Sequence, residues 1–255
     1  KIVKNLHVLR NWFFLFTNKG EKINTLFFVR HGQASFGEDD YDNLSDLGLK
    51  QSIELGKVLA KQKLNFDKAI IGPLKRHIQT FDGIIEGYNA KETIPFSIED
   101  GLAENHLMEV TQYFAPKLLQ SDSKLIDLYK NYENDNQEKK FFKMFQYIAL
   151  KWANSELDLT NTDLESYTNF RSRVKKSLNT IQNSLPESSN ILVVTSGGVI
   201  SALYGEATQC SPQDIQKQNF AIKNASISEF LCTTERFTLK TFNVSFLSKE
   251  LETYI

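Results

Sequence analysis

Residues 26–32 read Leu26-Phe27-Phe28-Val29-Arg30-His31-Gly32, an apolar run that ends in two basic residues and a glycine. Short apolar runs of this kind are typical of strands that are buried on both faces of a parallel sheet. The run predicts a strand over Thr25–Val29, with Arg30 and His31 placed where it ends. The stretch therefore predicts a central strand with two polar side chains at its carboxyl end.

The segments that follow alternate between strand and helix patterns. Apolar runs predict strands at Ala69–Ile71 and Ile94–Ile98, and the strongest strand pattern is NILVVT over Asn190–Thr195. Alternating segments near 226–232 and 237–243 predict a closing hairpin. Strands that alternate with helices predict an α/β fold, here a three-layer sandwich with a mostly parallel central sheet flanked by helices.

A helix is predicted from Leu44-Ser45-Asp46 to about Gln62, with Ser45 as its N-cap. Every fourth residue along this helix is small, and the series comprises Gly48, Ser52, Gly56 and Ala60. Residues four apart lie on the same helical face. The series therefore predicts a close approach between this helix and its neighbour.

Residues 105–185 carry helical patterns and little that predicts a strand. We expect a helical insertion over about 105–165 that lies over the C-terminal edge of the sheet. Its aromatic residues include Tyr113, Phe114, Phe141, Phe142, Phe145 and Trp152. Most of them are expected in the core, because large aromatic side chains contribute most when buried. A single domain over 25–255 is predicted to contain this insertion.

Residues 1–24 are interpreted as an N-terminal arm or extension. Leu6, Leu9, Phe13 and Phe16 recur at helical spacing, and the segment is basic. A helix or arm packed on the domain is the favoured interpretation. A helix that lies on a membrane surface is the alternative.

The composition excludes several classes of protein. Lys and Arg total 30 against 31 for Asp and Glu, so the net charge of -1 gives no reason to expect a nucleic acid partner. No apolar run approaches the ~20 residues that span a bilayer. Cys210 and Cys232 form no CxxC pair, which argues against a disulfide framework. A cytoplasmic location is expected, and the oligomeric state is left open.

Three predicted strands are followed by residues suited to binding an anion. These are Arg30 and His31 after the first strand, Arg76 after the second, and Ser196-Gly197-Gly198 after the fourth. In an open α/β sheet the carboxyl ends of the strands meet at one crevice. A guanidinium offers paired N–H groups to phosphate, and the amides at a helix N-terminus also suit an anion. The three strand ends together predict a phosphate-binding site.

His31 is the predicted nucleophile of this site. A histidine after a strand is, taken alone, more often a structural hydrogen-bonding residue. Beside Arg30 and Arg76, however, a neutral imidazole is favoured, and its nitrogen lone pair can attack phosphorus. The product would be a phosphohistidine, which divides the transfer into two easier steps.

Five segments resemble, in order, the motifs of the histidine phosphatase superfamily, the phosphoglycerate mutase-like proteins. They are VRHGQ at 29–33, LSDLGLKQ at 44–51, GPLKRHIQT at 72–80, GLAE at 101–104 and VVTSGG at 193–198. In the family the third segment reads S-P-L-x-R-A-x-Q-T and the fifth V-x-H-G-G. The resemblance extends over about residues 25 to 245. It implies the family's α/β fold and an activity on small phosphorylated substrates that needs no metal or other cofactor.

The resemblance also implies a role for each matching residue. His31 corresponds to the nucleophile, and Arg30 and Arg76 to the residues that bind the phosphoryl group. Glu104 corresponds to the acid that gives a proton to the leaving oxygen, a role that needs a protonated carboxyl group. Without the family, Glu104 would be interpreted as a solvated loop carboxylate.

The sequence departs from the family pattern at the last motif. Ser196 stands where the family places a second histidine; its hydroxyl can donate one hydrogen bond but carries no positive charge. Ser196 and Gly197 remain predicted phosphate-binding residues. Gly37 stands where many members have an asparagine. Neither His77 nor His106 occupies the position of the missing histidine. His106 could line the pocket, but a surface or packing histidine is its favoured interpretation.

An acidic run follows the nucleophile at Glu38-Asp39-Asp40-Tyr41-Asp42. It is interpreted as a solvated loop near the mouth of the pocket rather than as a metal site. Negative charge at that place disfavours substrates that carry several phosphates.

The sequence therefore predicts a metal-independent phosphatase that acts on a small phosphomonoester through phosphohistidine. The first alternative is a catalytically weak or inactive protein of the same fold that binds a phosphorylated ligand or acts as a scaffold. The second alternative is a phosphomutase. A third interpretation is recruitment to a membrane surface through residues 1–24.

Overall fold

The computed structural model describes residues 23–35, 42–89, 94–131 and 136–254. The N-terminal arm predicted over 1–24 lies outside the described residues except for its last two positions, and so does Gly37. Of the acidic run at 38–42, Asp42 alone is described. The division into an arm and one domain stays a prediction.

Six strands form one sheet. They are β1 (Asn24–Arg30), β2 (Lys68–Ile71), β3 (Phe96–Ile98), β4 (Asn190–Thr195), β5 (Ile227–Cys232) and β6 (Phe237–Val244). The strand order is β3-β2-β4-β1-β5-β6. Strands β3, β2, β4 and β1 are parallel to one another, and the β5–β6 hairpin joins β1 antiparallel. The predicted mostly parallel sheet is confirmed.

Eight α-helices lie in the described part of the chain. They are α1 (Asp46–Lys61), α2 (Lys75–Tyr88), α3 (Leu107–Ser121), α4 (Ser123–Asn131), α5 (Gln137–Ala153), α6 (Tyr167–Ser184), α7 (Gly197–Thr208) and α8 (Pro212–Asn219). Helix α8 was not expected from the sequence, because it is short and buries only Ile215 and Gln216. No helix in the described ranges is long and apolar enough to cross a membrane.

Strand β1 is buried on both faces, which explains its uninterrupted apolar sequence. Leu26 and Phe28 pack on one side of the sheet in a cluster that includes Trp152 and residues of α3 to α7. Phe27 and Val29 point to the opposite side, where α1 and α2 complete a second cluster. The sheet therefore lies between two helical layers, and the predicted three-layer sandwich is confirmed.

The aromatic residues of the predicted insertion divide between core and surface. Trp152 and Phe114 are buried, and Tyr113 is exposed. Three others on α5, namely Phe141, Phe142 and Phe145, are only partly buried. The expectation that most of the six belong to the core is therefore wrong. Phe145 contacts Phe141 and Phe220 and packs on the edge of the main core, and Phe142 contacts Phe220.

The small residues of α1 allow two close backbone approaches, as the sequence predicted. A Cβ added to Gly48 would lie 2.1 Å from the carbonyl oxygen of Gln33, in the turn after β1. A Cβ added to Gly56 would lie 2.1 Å from the carbonyl oxygen of Ile84 in α2. Ser45 caps α1 as expected, since its Oγ accepts a hydrogen bond from Gly48 N at 3.1 Å. Helix α1 is thus held tightly against both the turn and α2.

We expect Gly56→Ala to lower the free energy of unfolding by about 1–3 kcal/mol, because the added methyl group must push α1 away from α2. The change opposes the gain of about 1 kcal/mol in helix propensity that alanine brings. Urea unfolding measures the difference. Lys50→Ala, at an exposed position of the same helix, is the control and should change stability by less than about 0.5 kcal/mol. Equal stability of Gly56→Ala and the native protein would contradict the close contact.

Candidate active site

The candidate site forms where three neighbouring parallel strands end. Strand β1 ends at Arg30, so His31 is the first residue beyond it, and β4 ends just before Ser196. The backbone N–H of His31 donates to the carbonyl of Thr195 at 2.9 Å, which joins the two turns. Arg76 lies in the first turn of α2, shortly after β2. The fold thus brings together the strand ends that the sequence singled out.

The hydrogen bonds of His31 define which ring nitrogen is available. Nδ1 lies 2.7 Å from the carbonyl oxygen of Gly32. A carbonyl oxygen only accepts, so Nδ1 carries the hydrogen and Nε2 keeps its lone pair. Arg76 Nε donates to that nitrogen at 3.2 Å. Nε2 is therefore the nucleophilic atom of this histidine, and a guanidinium lies directly beside it.

The surroundings of His31 favour its neutral form. Burial lowers the pKa of the His31 imidazole well below its ordinary value, and the charges of Arg76 and Arg30 lower it further. An imidazole must be unprotonated at Nε2 to attack phosphorus. The same cations that would bind a phosphate thus also keep the nucleophile in its reactive state.

Backbone and side-chain contacts hold the His31 turn in place. Gly32 N donates to Thr80 Oγ1 at 3.0 Å, and Gln33 N donates to Gln51 Oε1 at 2.8 Å. Asn224 Nδ2 donates to the His31 carbonyl at 3.1 Å. Sequence reasoning missed Asn224, because no local pattern marks a residue that lies almost two hundred positions away.

Both predicted phosphate-binding arginines are also bound to the protein itself. Arg76 Nη1 forms an ion pair with Asp42 Oδ1 at 2.6 Å, and Asp42 Oδ2 accepts from Lys75 N at 2.9 Å. Arg30 Nη1 donates to the Tyr254 carbonyl at 2.6 Å. Sequence reasoning placed Asp42 in a solvated acidic run, whereas it is the partner of Arg76.

We expect Asp42→Asn to strengthen the binding of inorganic phosphate about three- to tenfold. The carboxylate competes with phosphate for the Arg76 guanidinium and repels the anion, at a cost of about 1 kcal/mol. Asparagine retains an oxygen that can accept from Lys75 N. Isothermal titration calorimetry measures the dissociation constant. The control is Asp46→Asn, which removes the same charge at an exposed residue of α1. Weaker phosphate binding in Asp42→Asn would show instead that Asp42 is needed to orient Arg76.

Glu104 contacts the turn after β4 and so lies in the site. Glu104 Oε2 accepts from Gly198 N at 3.4 Å, at the N-terminus of α7. A Cβ on Gly198 would lie 2.1 Å from Glu104 Oε1, so only glycine allows this approach. A Cβ on Gly197 would lie 3.5 Å from Arg30 Nε. Helix α7 therefore begins between the predicted acid and one of the predicted phosphate-binding arginines.

The structure places His77, but not His106, at the site. His77 is fully buried, and its Nε2 lies 2.6 Å from Ser196 Oγ. Its ring centre is 5.7 Å from that of His31. His106 is exposed at the start of α3. The contact of His77 with Ser196 was missed because the two residues are 119 positions apart.

Comparison with known families shows where this arrangement belongs. The profile of the histidine phosphatase superfamily (branch 1) matches residues 26–141 and 129–245, which include all of the site residues described above. The chain belongs to the histidine phosphatase superfamily. The predicted family is confirmed.

The chain is also similar to a curated protein from yeast. It is 29% identical over 107 residues to a broad-specificity phosphatase of Saccharomyces cerevisiae, an alignment that covers 37% of this chain and 46% of the yeast protein. The chain thus spans just under half the length of that curated relative.

Solved structures share the fold at low sequence identity. A phosphoglycerate mutase from Bacillus anthracis has a TM-score of 0.60 at 17% identity, with 88% of this chain and 94% of that chain covered. A mycobacterial glucosyl-3-phosphoglycerate phosphatase has a TM-score of 0.58 at 18% identity, with 88% and 100% covered. A phosphoserine phosphatase from Entamoeba histolytica has a TM-score of 0.56 at 20% identity, with 88% and 98% covered.

Within the described residues, no group of three or more His, Cys, Asp or Glu side chains could hold a metal ion. The positive charge of the site comes from guanidinium groups and a helix N-terminus instead.

We expect mild acid to destabilise this protein through its two buried histidines. Burial and the charge of Arg76 lower the pKa of His77 from 6.5 to about 3, and the pKa of His31 is lowered in the same direction. The unfolded chain therefore takes up protons below about pH 6.5 that the folded chain does not bind. Between pH 7 and 5.5 each histidine should lower the free energy of unfolding by about 1 kcal/mol.

Urea unfolding at the two pH values measures this loss. His77→Gln should remove about half of the pH-dependent loss, whereas His106→Gln, at an exposed histidine, should leave it unchanged. The same pH dependence in native protein and His77→Gln would contradict a neutral buried His77.

Proposed function

We propose that this protein is a metal-independent phosphatase that hydrolyses a small phosphomonoester through a phosphohistidine on His31. The observation that carries the proposal is the geometry of His31. Its Nδ1 is tied to the Gly32 carbonyl, and its Nε2 lone pair faces the Arg76 guanidinium. A phosphoryl group held by that guanidinium would meet the nucleophilic nitrogen directly.

The first half-reaction transfers the phosphoryl group to the protein. Arg30, Arg76 and the amides at the start of α7 bind the phosphoryl oxygens, and His31 Nε2 attacks phosphorus from the face opposite the leaving oxygen. The bond from phosphorus to that oxygen breaks, and protonated Glu104 gives its proton to the oxygen. Because Nδ1–H donates to the Gly32 carbonyl, the positive charge that develops on the ring is stabilised.

The second half-reaction releases phosphate. A water molecule attacks the phosphorus of phosphohistidine and gives a proton to the Glu104 carboxylate. The N–P bond breaks, and its electron pair returns to His31 Nε2. Glu104 is then protonated again for the next substrate. The same carboxyl group serves as acid and then as base, as microscopic reversibility requires.

One observation favours the alternative of a weak enzyme or a phospho-ligand-binding protein. Arg76 is already paired with Asp42 at 2.6 Å, so an incoming phosphate must share or displace this contact. A phosphomutase would follow the same first half-reaction and then pass the phosphoryl group to a second hydroxyl group instead of water. Release of inorganic phosphate separates hydrolysis from mutase chemistry.

We expect the native protein to hydrolyse p-nitrophenyl phosphate in the presence of EDTA. His31→Ala should lower kcat at least about 10³-fold, because it removes the nucleophile. Glu104→Gln should lower kcat about 10²- to 10⁴-fold, because an amide cannot take the proton of the water that attacks phosphohistidine. His106→Ala and Glu109→Gln change exposed residues of the same types and should leave kcat within about twofold. Inorganic phosphate release and an acid-labile phosphoprotein report the two half-reactions.

The same variants also show which results would contradict the proposal. Equal and negligible turnover in the native protein and His31→Ala, with phosphate still raising the melting temperature, would establish the binding alternative. Turnover that depends on a metal would contradict the proposed mechanism.

A further inference from the structure

A buried imidazole lies beside the candidate nucleophile without a role in the proposed chemistry. His77 is fully buried at the start of α2, with Nε2 2.6 Å from Ser196 Oγ. Its ring is 5.7 Å from the ring of His31. Ser196 is the N-cap of α7 and is also fully buried. The pair thus lies between the nucleophile and the helix N-terminus that would bind the phosphoryl group.

Three departures from the family motifs meet at this pair. Gly72 stands in place of a serine, His77 in place of an alanine, and Ser196 in place of a histidine. A Cβ on Gly72 would lie 2.3 Å from His77 Nδ1 and 2.8 Å from the Leu102 carbonyl oxygen. Glycine at 72 is therefore the residue that leaves room for the His77 ring.

The same space also excludes a histidine at position 196. A longer side chain there would overlap the His77 ring, because Nε2 is already in hydrogen-bonding contact with the serine oxygen. One imidazole fits in this place, and it can come from α2 or from the β4–α7 turn. In this chain it comes from α2.

We infer that His77 and Ser196 form one functional unit, in which His77 is a positioning residue that directs the Ser196 hydroxyl toward the phosphoryl group. This inference rests on the proposed function, because the hydroxyl needs a bound phosphoryl group to act on. The unit replaces the single histidine side chain that the family motif places at the turn.

The position of the shared hydrogen determines what Ser196 can do. The contact of 2.6 Å between His77 Nε2 and Ser196 Oγ can carry a hydrogen from either atom. In this unit, the hydrogen of the neutral His77 ring lies on Nε2 and is donated to Ser196 Oγ. Ser196 therefore keeps its own hydroxyl hydrogen to donate to a phosphoryl oxygen.

A purely structural role for His77 predicts different behaviour. Burial of a histidine that only fills space would affect stability, and a substitution of similar volume would restore full activity. A positioning role makes the effects of the two substitutions on activity depend on each other. Because His77 orients Ser196, removal of the Ser196 hydroxyl lowers activity less when His77 is already absent.

The test compares variants of both residues, with p-nitrophenyl phosphate as substrate and His31→Ala as the reference for the proposed function. We expect His77→Ala and Ser196→Ala each to lower kcat about 10- to 100-fold, with KM changed less than threefold, because the hydroxyl hydrogen bond strengthens in the transition state. The double variant His77→Ala/Ser196→Ala should be no worse than the more impaired single variant. His77→Gln, whose amide N–H can reach Ser196, should retain more activity than His77→Phe.

A further variant moves the imidazole to the turn. His77→Ala/Ser196→His should recover kcat to within about fivefold of the native protein, whereas Ser196→His alone should be strongly impaired by overlap with His77. Thermal unfolding shows which variants are folded, and only those enter the comparison. His77→Gln keeps the test available if His77→Ala does not fold.

Two results overturn the inference. One is full activity in His77→Phe. The other is a double alanine variant whose fold loss of kcat equals the product of the two single losses. Failure of the proposed function has a separate signature, in which native protein and His31→Ala are equally inactive. In that event the dissociation constant of inorganic phosphate decides. A loss of about threefold or more in both His77→Phe and Ser196→Ala supports the unit, and an unchanged constant overturns it.

Discussion

The parallel pairing of β1 with β4 positions the two turns that carry His31 and Ser196 in the candidate site. It runs from Thr25 opposite Asn190 to Arg30 opposite Thr195, and the His31 N–H continues it by one hydrogen bond to the Thr195 carbonyl. The first residue beyond each strand is therefore brought to the same edge of the sheet. A shift of this register by one residue would reverse the side-chain directions of β1 and turn its apolar residues away from their partners. Burial of both faces makes such a shift unfavourable.

Positive charge and burial together determine the protonation state of the histidines in the site. Arg30 and Arg76 are the cations that would neutralise a phosphoryl group, and they also help burial to keep His31 uncharged. Asp42 offsets part of this charge through its contact with Arg76. Because His77 is also held neutral, the site concentrates cationic charge on guanidinium groups and keeps both imidazoles available as hydrogen-bonding groups or nucleophile.

Glycine residues determine how closely the elements approach this centre. Gly48 lets α1 contact the turn that carries His31, and Gly198 lets the Glu104 carboxylate reach the start of α7. Gly72 leaves room for the His77 ring in a comparable way. At each place a single methyl group would overlap a neighbouring atom, so the chemistry of the site depends on positions that carry no functional group themselves.

The sequence alone determined the strands, most of the helices, the family and the residues at the strand ends. These features depend on local periodicity and on short motifs, which is why Asn190–Thr195 was predicted at its observed bounds. Short α8 and the partial exposure of the α5 aromatics were not predicted, because tertiary packing rather than local pattern decides them. Only the tertiary structure revealed that Asp42 pairs with Arg76 and that His77 contacts Ser196. Both contacts join residues far apart in sequence, and the distance between their side chains is set by how α2 packs against the sheet.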